Sequence, residues 1–506
     1  MVAPTFVPPE SLWDRTAEKV VSDTRPDRAD VVVVGAGLTG LATAVLLARQ
    51  GRRVLVLEAR VVGAVTTGNT TGKLSLLQGA VASGIRTHAG DDVLRAYLEA
   101  NREGQEWIRA EAGDDPAVIQ PRTAFTYATT PEGDDALHAE AEALVAGGLA
   151  VEREGPGADI GVPFPVTSAL RMPGQWQLHP LRLLAGLVAE VRRHGGRVVA
   201  GCRVTGVDVS EHGVRVRTAT GDIDARLVVL ATGIPILDRG LFFAKVVPSR
   251  SLAAAYRLPQ HIRVPDGMYV SVDPQARSLR GAPVGVDREL LVAGGGGFVP
   301  GREESVRARR AELDAWVGEH FPGAARVTWW AAQDYRMVTN VPFAGPMPRG
   351  GGRIYTATGY NKWGMTNAAA AALAIAGAIA DQPPVWAERL RTGMPSVTDA
   401  GEAVAANAEV AGHLVGGWTR AQMSAKPDAP PAEGEGRVVR SGLSPVAESR
   451  VDGRLCRLSA VCTHLGGIVS WNDAERTWDC PLHGSRFTAD GTLLEGPAVA
   501  DLGPAG

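Results

Sequence analysis

Four consecutive valines at 31–34 form an apolar run without polar alternation, the pattern of a strand buried on both faces. Residues 41–48 then repeat apolar positions at helical spacing, and a second short apolar run covers 54–57. Strand, helix and strand in that order predict a βαβ unit within a parallel sheet. Farther along, 91–112 reads as an exposed amphipathic helix, 122–129 as a strand and 132–146 as a helix. A strand at 175–178, a helix from 179 through 194 and a strand at 197–200 follow. Residues 214–218 and 223–230 predict a hairpin ending in Leu230-Ala231-Thr232-Gly233, an ending that reads as the terminus of a parallel-sheet strand.

From 234 to 330 the pattern changes. Short alternating segments at 253–257, 268–272 and 289–293 predict an antiparallel sheet, with a charged helix at 303–320 among them. This stretch reads as a lobe covering a substrate. A strand at 354–358 then runs into Gly359-Tyr360-Asn361-Lys362-Trp363-Gly364-Met365-Thr366 and a small-residue helix at 367–380. Beyond 383 helix signals, clearest at 403–418, mix with Pro- and Ala-rich sequence before short strands at 437–440, 455–458 and 468–470. The expected organisation is an arm at 1–28, a main domain at 29–382, a connector at 383–412 and a small all-β domain at 413–506. The fold class is α/β with an added β part.

The first βαβ unit carries Gly35-Ala36-Gly37-Leu38-Thr39-Gly40 at its turn and Glu58 at the end of its second strand. Gly35 permits the tight turn, Gly37 lets a pyrophosphate approach the helix N-terminus, and Gly40 lets helix and strand pack closely. Glu58 stands about 20 residues on, where a carboxylate meets a ribose 2′-hydroxyl, which argues against a 2′-phosphate. The hydroxyl-rich loop Val65-Thr66-Thr67-Gly68-Asn69-Thr70-Thr71-Gly72-Lys73-Leu74-Ser75 reads as lying along the cofactor. The second strand–Gly–helix turn, filled by Lys362 and Trp363, does not suit a diphosphate. It suits a flat heteroaromatic ring, because helix N–H groups favour negative charge developing on its edge.

Composition narrows the classes. The 506 residues suffice for two or three domains, and 52 basic against 55 acidic side chains leave no basic stripe for nucleic acid. Four cysteines do not make a disulfide framework. Residues 1–10 lack a signal-peptide pattern, and the Ala-rich run at 368–380 is too short to span a bilayer. The expectation is a soluble cytoplasmic protein without a membrane span.

Over about 29–382 these motifs resemble the D-amino acid oxidase, glycine oxidase and sarcosine oxidase type of FAD-dependent oxidoreductase. The resemblance implies a Rossmann-like FAD-binding domain under an antiparallel substrate lobe. It places Gly35, Gly37, Leu38, Thr39 and Gly40 at the FAD diphosphate and Glu58 and Ala59 at the adenosine ribose. Thr66, Thr67, Thr70, Lys73 and Leu74 would line the flavin side. Val204 would meet adenine through its backbone, and Thr232 and Gly233 would close that end. Gly359, Trp363, Gly364, Met365 and Thr366 would sit at the pyrimidine edge of the ring.

The most specific motif lies near the end of the chain. Cys462-Thr463-His464-Leu465-Gly466-Gly467 precedes Cys480-Pro481-Leu482-His483-Gly484-Ser485, with fifteen residues between His464 and Cys480. Two Cys–His pairs on facing loops give one iron two thiolates and the other two imidazoles, the ligation of a Rieske [2Fe–2S] centre. A Cys2His2 zinc site uses the same side chains but pairs Cys with Cys and His with His along the chain. The alternating order and the flanking glycines favour iron–sulfur. The segment resembles the Rieske domain family over about 413–506. In quinol-oxidising members a disulfide ties the two loops, and the corresponding positions here, Gly467 and Leu482, cannot form it. With Ser485 in place as a hydrogen-bond donor, the expected potential lies toward the middle or lower part of roughly −150 to +300 mV.

Together these motifs imply a dehydrogenase that oxidises a C–N bond of an amine or amino acid and passes electrons singly from flavin to cluster. Its one-electron donor or acceptor is unidentified. No catalytic base stands out; His179, before Pro180, reads as a helix-start residue, with contact to substrate or flavin as the alternative. Lys245, Arg250 and Tyr335 are candidate anion-binding or polar contacts, and Cys202 and Cys456 read as packing residues. An NAD(P)H-linked reductase needs a second dinucleotide βαβ, and the glycines at 294–297 have no helix directly after them. A Rieske oxygenase needs two histidines and a carboxylate on a further iron, and the remaining histidines are scattered. A redox carrier or sensor without catalysis is the reading from another class.

Overall fold

Val31–Val34 is fully enclosed because strands flank it on both sides and helices and sheet cover both faces. The computed structural model, which describes residues 8–285, 288–392, 397–424 and 429–505, places it inside a six-stranded sheet. The order is Phe343–Pro346, Ile354–Thr358, Leu227–Leu230, Val31–Val34, Val54–Leu57, Arg197–Val199. Every pairing is parallel except that of Phe343–Pro346 with Ile354–Thr358. On one face the helix Leu38–Arg49 packs against the Ala-rich helix Gly364–Ile379. On the other lies a three-stranded ribbon, Val204–Ser210, Gly213–Thr218 and Ile223–Ala225.

The expected hairpin at 214–230 divides. Ile223–Ala225 pairs with Gly213–Thr218, whereas Leu227–Leu230 leaves the ribbon and joins the parallel sheet beside Val31–Val34. Val228, Val229 and Leu230 are completely buried, which the two faces of the large sheet provide and a ribbon edge does not. The amphipathic pattern from Asp91 starts one residue after a real break. Gly90, at φ 80° and ψ 178°, interrupts the helical stretch Val81–Ala112.

The covering sheet has nine strands among the described residues. Its main path runs Ala325–Met337, Val246–Arg257, Glu289–Phe298, Arg277–Pro283, Gly267–Ser271, Ile119–Ala128, Ser168–Leu178, Lys73–Leu74. The strands between 234 and 330 therefore form only part of it. Gly267–Ser271 takes Ile119–Ala128 as a parallel partner, and through that pairing the earlier strands complete the lobe.

The C-terminal part builds two small sheets, Gly436–Ser441, Ser444–Val451, Arg454–Ser459 and Ser470–Asn472, Thr477–Asp479, Arg486–Thr488, Leu493–Glu495. The helix Val397–Met423 runs unbroken past residue 412 and packs on them, with Trp418 Nε1 donating to the Gly466 carbonyl at 3.0 Å. No helix among the described residues is long and apolar enough to cross a membrane.

Candidate functional site

A cavity of about 370 Å³ opens between the parallel sheet and the covering sheet. Its floor is the turn after Val31–Val34. A side chain at Gly35 would place Cβ 2.5 Å from the Ala231 carbonyl oxygen, and one at Gly40 would place it 1.9 Å from that of Gly35. Gly35 also has φ +106°, so only glycine fits. Glu58 accepts the Ala36 and Arg60 N–H groups, both at 2.9 Å, and burial pushes its carboxyl up. This bare cradle at a helix N-terminus, with a buried acid beside it, fits a dinucleotide.

Of the cofactor residues expected from sequence, all but Gly40, Leu74 and Thr366 line this cavity. Gly40 packs under the turn, and Leu74 is buried in the main core. Thr366 faces the other way, donating to Asn101 Oδ1 (2.5 Å) and accepting from Gln78 Nε2 (3.0 Å). Its backbone still belongs to the first turn of Gly364–Ile379, whose N-terminus meets the cavity. The turn before that helix holds Asn361 and Lys362 at φ 49° and 68°, two successive left-handed residues of the kind that cluster at binding sites. Lys362 N–H donates to Asp334, a carboxyl that burial pushes up to about 6.

The covering wall carries basic side chains. Lys73 Nζ reaches the hydroxyls of Ser278 (2.6 Å) and Thr71 (3.4 Å), and among the described residues it has no carboxylate partner. Burial, and then the charge of Arg280, push it down to about 7. Arg280 itself staples the loop, donating to the carbonyls of Thr71 (2.8 Å), Gly72 (3.1 Å) and Leu178 (3.1 Å). Arg277 lines the same wall with its buried Nε unpartnered.

Lys73 makes a pH prediction. Its pKa of about 7 lies below the ordinary 10.5, so between these values the folded chain binds fewer protons than the unfolded one. Stability of the flavin-free protein therefore rises with pH across that window, and the cost of the charge is fully present below pH 7. Lys73→Met is expected to melt higher at pH 6 and to show a flatter rise from pH 7 to 9. Thermal melts across that range check it; an unchanged slope would refute it.

The second site consists of two loops with the same backbone bonds. Cys462 N–H donates to Gly467 O (2.8 Å) and Gly466 N–H to Cys462 O (3.1 Å); Cys480 N–H donates to Ser485 O (2.8 Å) and Gly484 N–H to Cys480 O (3.1 Å). Gly466 and Gly484 turn each loop at φ 72° and 78°. The thiols meet each other, Cys480 pulling Cys462 down while its own thiol is pushed up. The imidazoles of His464 and His483 pair separately, ring centroids 5.1 Å apart. His483 Nδ1 is buried without a partner, and burial pushes that ring down to about 4, which keeps it neutral and free to ligate. His464 uses Nε2 on Asp238 (3.2 Å), leaving Nδ1 for metal. The four side chains thus form two pairs, thiol with thiol and imidazole with imidazole. This arrangement fits a binuclear centre with sulfur on one iron and nitrogen on the other. A Cβ at Gly467 would lie 2.7 Å from Leu482, so these residues face each other across the loops.

The two sites share a wall. Thr66, in the cavity, donates to the Gln333 carbonyl (2.5 Å), and Gln333 Nε2 donates to the Gly484 carbonyl beside His483 (2.9 Å). The segment between the parallel and covering sheets presents Asp238 to His464 and Phe243 to His483, the latter rings 5.8 Å apart. Arg250, a candidate polar contact of the covering lobe, lies outside the cavity lining, buried against Glu475 and Glu495 of the C-terminal part. Lys245 is exposed, and Tyr335 lines the cavity. His179 caps the helix Pro180–Arg193 by accepting from Arg182 N–H (3.3 Å) and lies outside the cavity lining. Cys202, read as a packing residue, does line it. Asp334, Arg277 and Ser278 went unseen because no local spacing marks them; the covering strands bring them in from far along the chain.

Fold and site together define an FAD-dependent oxidoreductase that carries a Rieske centre. The chain belongs to the FAD dependent oxidoreductase family, whose model matches residues 30–378, and a Rieske [2Fe-2S] domain model matches residues 426–504. It is 30% identical over 514 residues to YhfW of Bacillus subtilis (strain 168), a protein named for a Rieske 2Fe-2S centre, covering 98% of this chain and 97% of that protein. A 45-residue stretch, 9% of the chain, is 51% identical to the cytochrome b6-f complex iron-sulfur subunit of Synechococcus sp. (strain JA-3-3Ab), covering 26% of that protein. Its fold is similar to glycine oxidase from Geobacillus kaustophilus (TM-score 0.60, 19% identity, 71% of this chain, 96% of that one). It is also similar to L-proline dehydrogenase from P. horikoshii (TM-score 0.60, 17% identity, 74% and 100%).

Proposed function

We propose that this chain oxidises the C–N bond of an amine or amino acid and passes the electrons one at a time through its own Rieske centre to a separate one-electron partner. The observation that carries the reading is the Thr66–Gln333–Gly484 connection, which joins the wall of the FAD cavity to the loop holding two cluster ligands. When bound, FAD accepts two electrons and the [2Fe–2S] centre takes one, so the pair converts two-electron chemistry into single-electron steps.

The chain's own residues do the rest. The covering sheet roofs the cavity, and its Arg277 guanidinium with the Lys73 amine offers donors suited to a substrate carboxylate. Similarity of fold to an oxidase and a dehydrogenase named for amino acids supports the same substrate class. A catalytic base is not assigned.

The test is anaerobic. Amines and amino acids are screened for bleaching of the bound flavin, and each active sample is frozen for electron paramagnetic resonance. The expected result is bleaching together with a rhombic reduced-cluster signal in the same tube. Flavin that stays oxidised with every amine yet bleaches with NADH would replace this reading by that of a reductase. Flavin inert to both would leave a carrier.

A further inference from the structure

We propose that the Rieske domain is part of the FAD site, its residues 494–499 forming one wall of the dinucleotide cavity, so that FAD is held tightly only while that domain is docked. This reading uses FAD binding alone and is independent of the substrate oxidised.

The cavity floor and covering wall come from residues before 380, but the side between them is closed by Leu494, Glu495, Gly496, Ala498 and Val499. These residues begin inside the strand Leu493–Glu495 and lie more than a hundred positions beyond the stretch that matches the FAD family. Two contacts anchor the start of the segment. Arg203, beside Val204 at the Glu58 end of the cavity, donates from Nη2 to the Leu493 carbonyl at 2.8 Å. Arg250 of the covering sheet holds Glu495 at 3.4 Å.

Just beyond these anchors the segment meets Ile236, whose Cγ2 lies 3.9 Å from where a Gly496 side chain would begin. Leu494 and Val499 remain half-buried, and both line the cavity. A dinucleotide laid along Glu58, Thr232 and Gly233 would cover that apolar surface and so tie the two domains together.

The same segment braces the second cluster loop. Ala498 N–H donates to Ser485 Oγ at 3.0 Å, and Ser485 closes the loop by accepting Cys480 N–H on its carbonyl at 2.8 Å. Binding on one side of 494–499 therefore orders residues that brace the cluster loop on the other. By linkage each cofactor strengthens retention of the other.

The experiment uses the full chain, stripped of FAD and carrying its cluster. FAD affinity is measured by fluorescence quenching for the unmodified protein and for Leu494→Ala/Val499→Ala. The expected result is binding weaker by about 10- to 100-fold, with the reduced-cluster resonance retained. Affinity within twofold of the unmodified chain overturns the proposal. Should the double variant lose its cluster, hydrogen exchange on the unmodified protein decides. Saturation with FAD is expected to slow exchange of backbone amides across 491–502 at least fivefold, and unchanged exchange there overturns the proposal.

Discussion

Arg250→Ala is expected to cost about 3–5 kcal/mol of folding free energy, because it strips the cation from a buried charge cluster that spans two domains. Arg250 is 1% exposed and donates to Glu475 (2.7 and 2.9 Å), Glu495 (3.4 Å) and the Ala331 carbonyl (3.3 Å). Arg486 completes the group, pairing with Glu475 (3.0 Å), Asp479 (3.0 Å) and Glu495 (3.2 Å). Two guanidinium groups thus answer three carboxylates, and removal of one leaves a single cation for all three in a largely buried site. Desolvation, not the lost bonds, sets the size of the effect.

Arg250→Lys is expected to rescue little, since one ammonium cannot bridge two carboxylates and a carbonyl in the geometry of the guanidinium fork. Thermal unfolding of the intact chain checks both variants. A single main transition is expected to split, the C-terminal domain separating early, and scattering is expected to show a larger radius for Arg250→Ala before that transition. A melting curve within a degree or two of the unmodified protein would mean that the cluster does not hold the domains together.

What could be read from the sequence follows the range over which each feature is encoded. The Gly35–Gly40 turn and Glu58 are legible because strand, turn, helix and acid lie within thirty residues and each has a steric reason for its identity. The two cluster loops are legible for the same reason: each contains both of its ligands and the glycine that turns it. Arg250 is the opposite case. Its partners stand 225 and 245 positions away, so nothing near it shows whether it faces substrate or carboxylates. The start of the helix at Asp91 is readable from its periodicity, and the Ala231-Thr232-Gly233 ending marks a parallel-sheet strand, but the point where Leu227–Leu230 leaves the hairpin is not legible. Apolar alternation looks alike in a ribbon and in a sheet strand, and only the empty place beside Val31–Val34 decides between them.

Cys480→Ala is expected to abolish the cluster while leaving the flavin chemistry in place, and this separation bears most directly on the direction of electron flow. Cys480 is buried in the C-terminal loop and does not line the FAD cavity, so its removal takes one of the two thiolates without touching the dinucleotide. Anaerobic titration of the intact protein is expected to consume roughly three electron equivalents per chain, two at the flavin and one at the cluster, and the variant roughly two. Bleaching by an active amine is expected to keep its rate within about threefold, because the proposed oxidation takes place in the FAD cavity, on the far side of Gln333 from the cluster loop. Transfer to any one-electron acceptor that docks at the Rieske domain is expected to fall at least a hundredfold. If the variant still shows the rhombic resonance, Cys480 is not a ligand. If amine bleaching itself stops in a variant that retains its flavin, the cluster is not downstream, and the shared wall at Gln333 would have to serve a flow of electrons in the other direction.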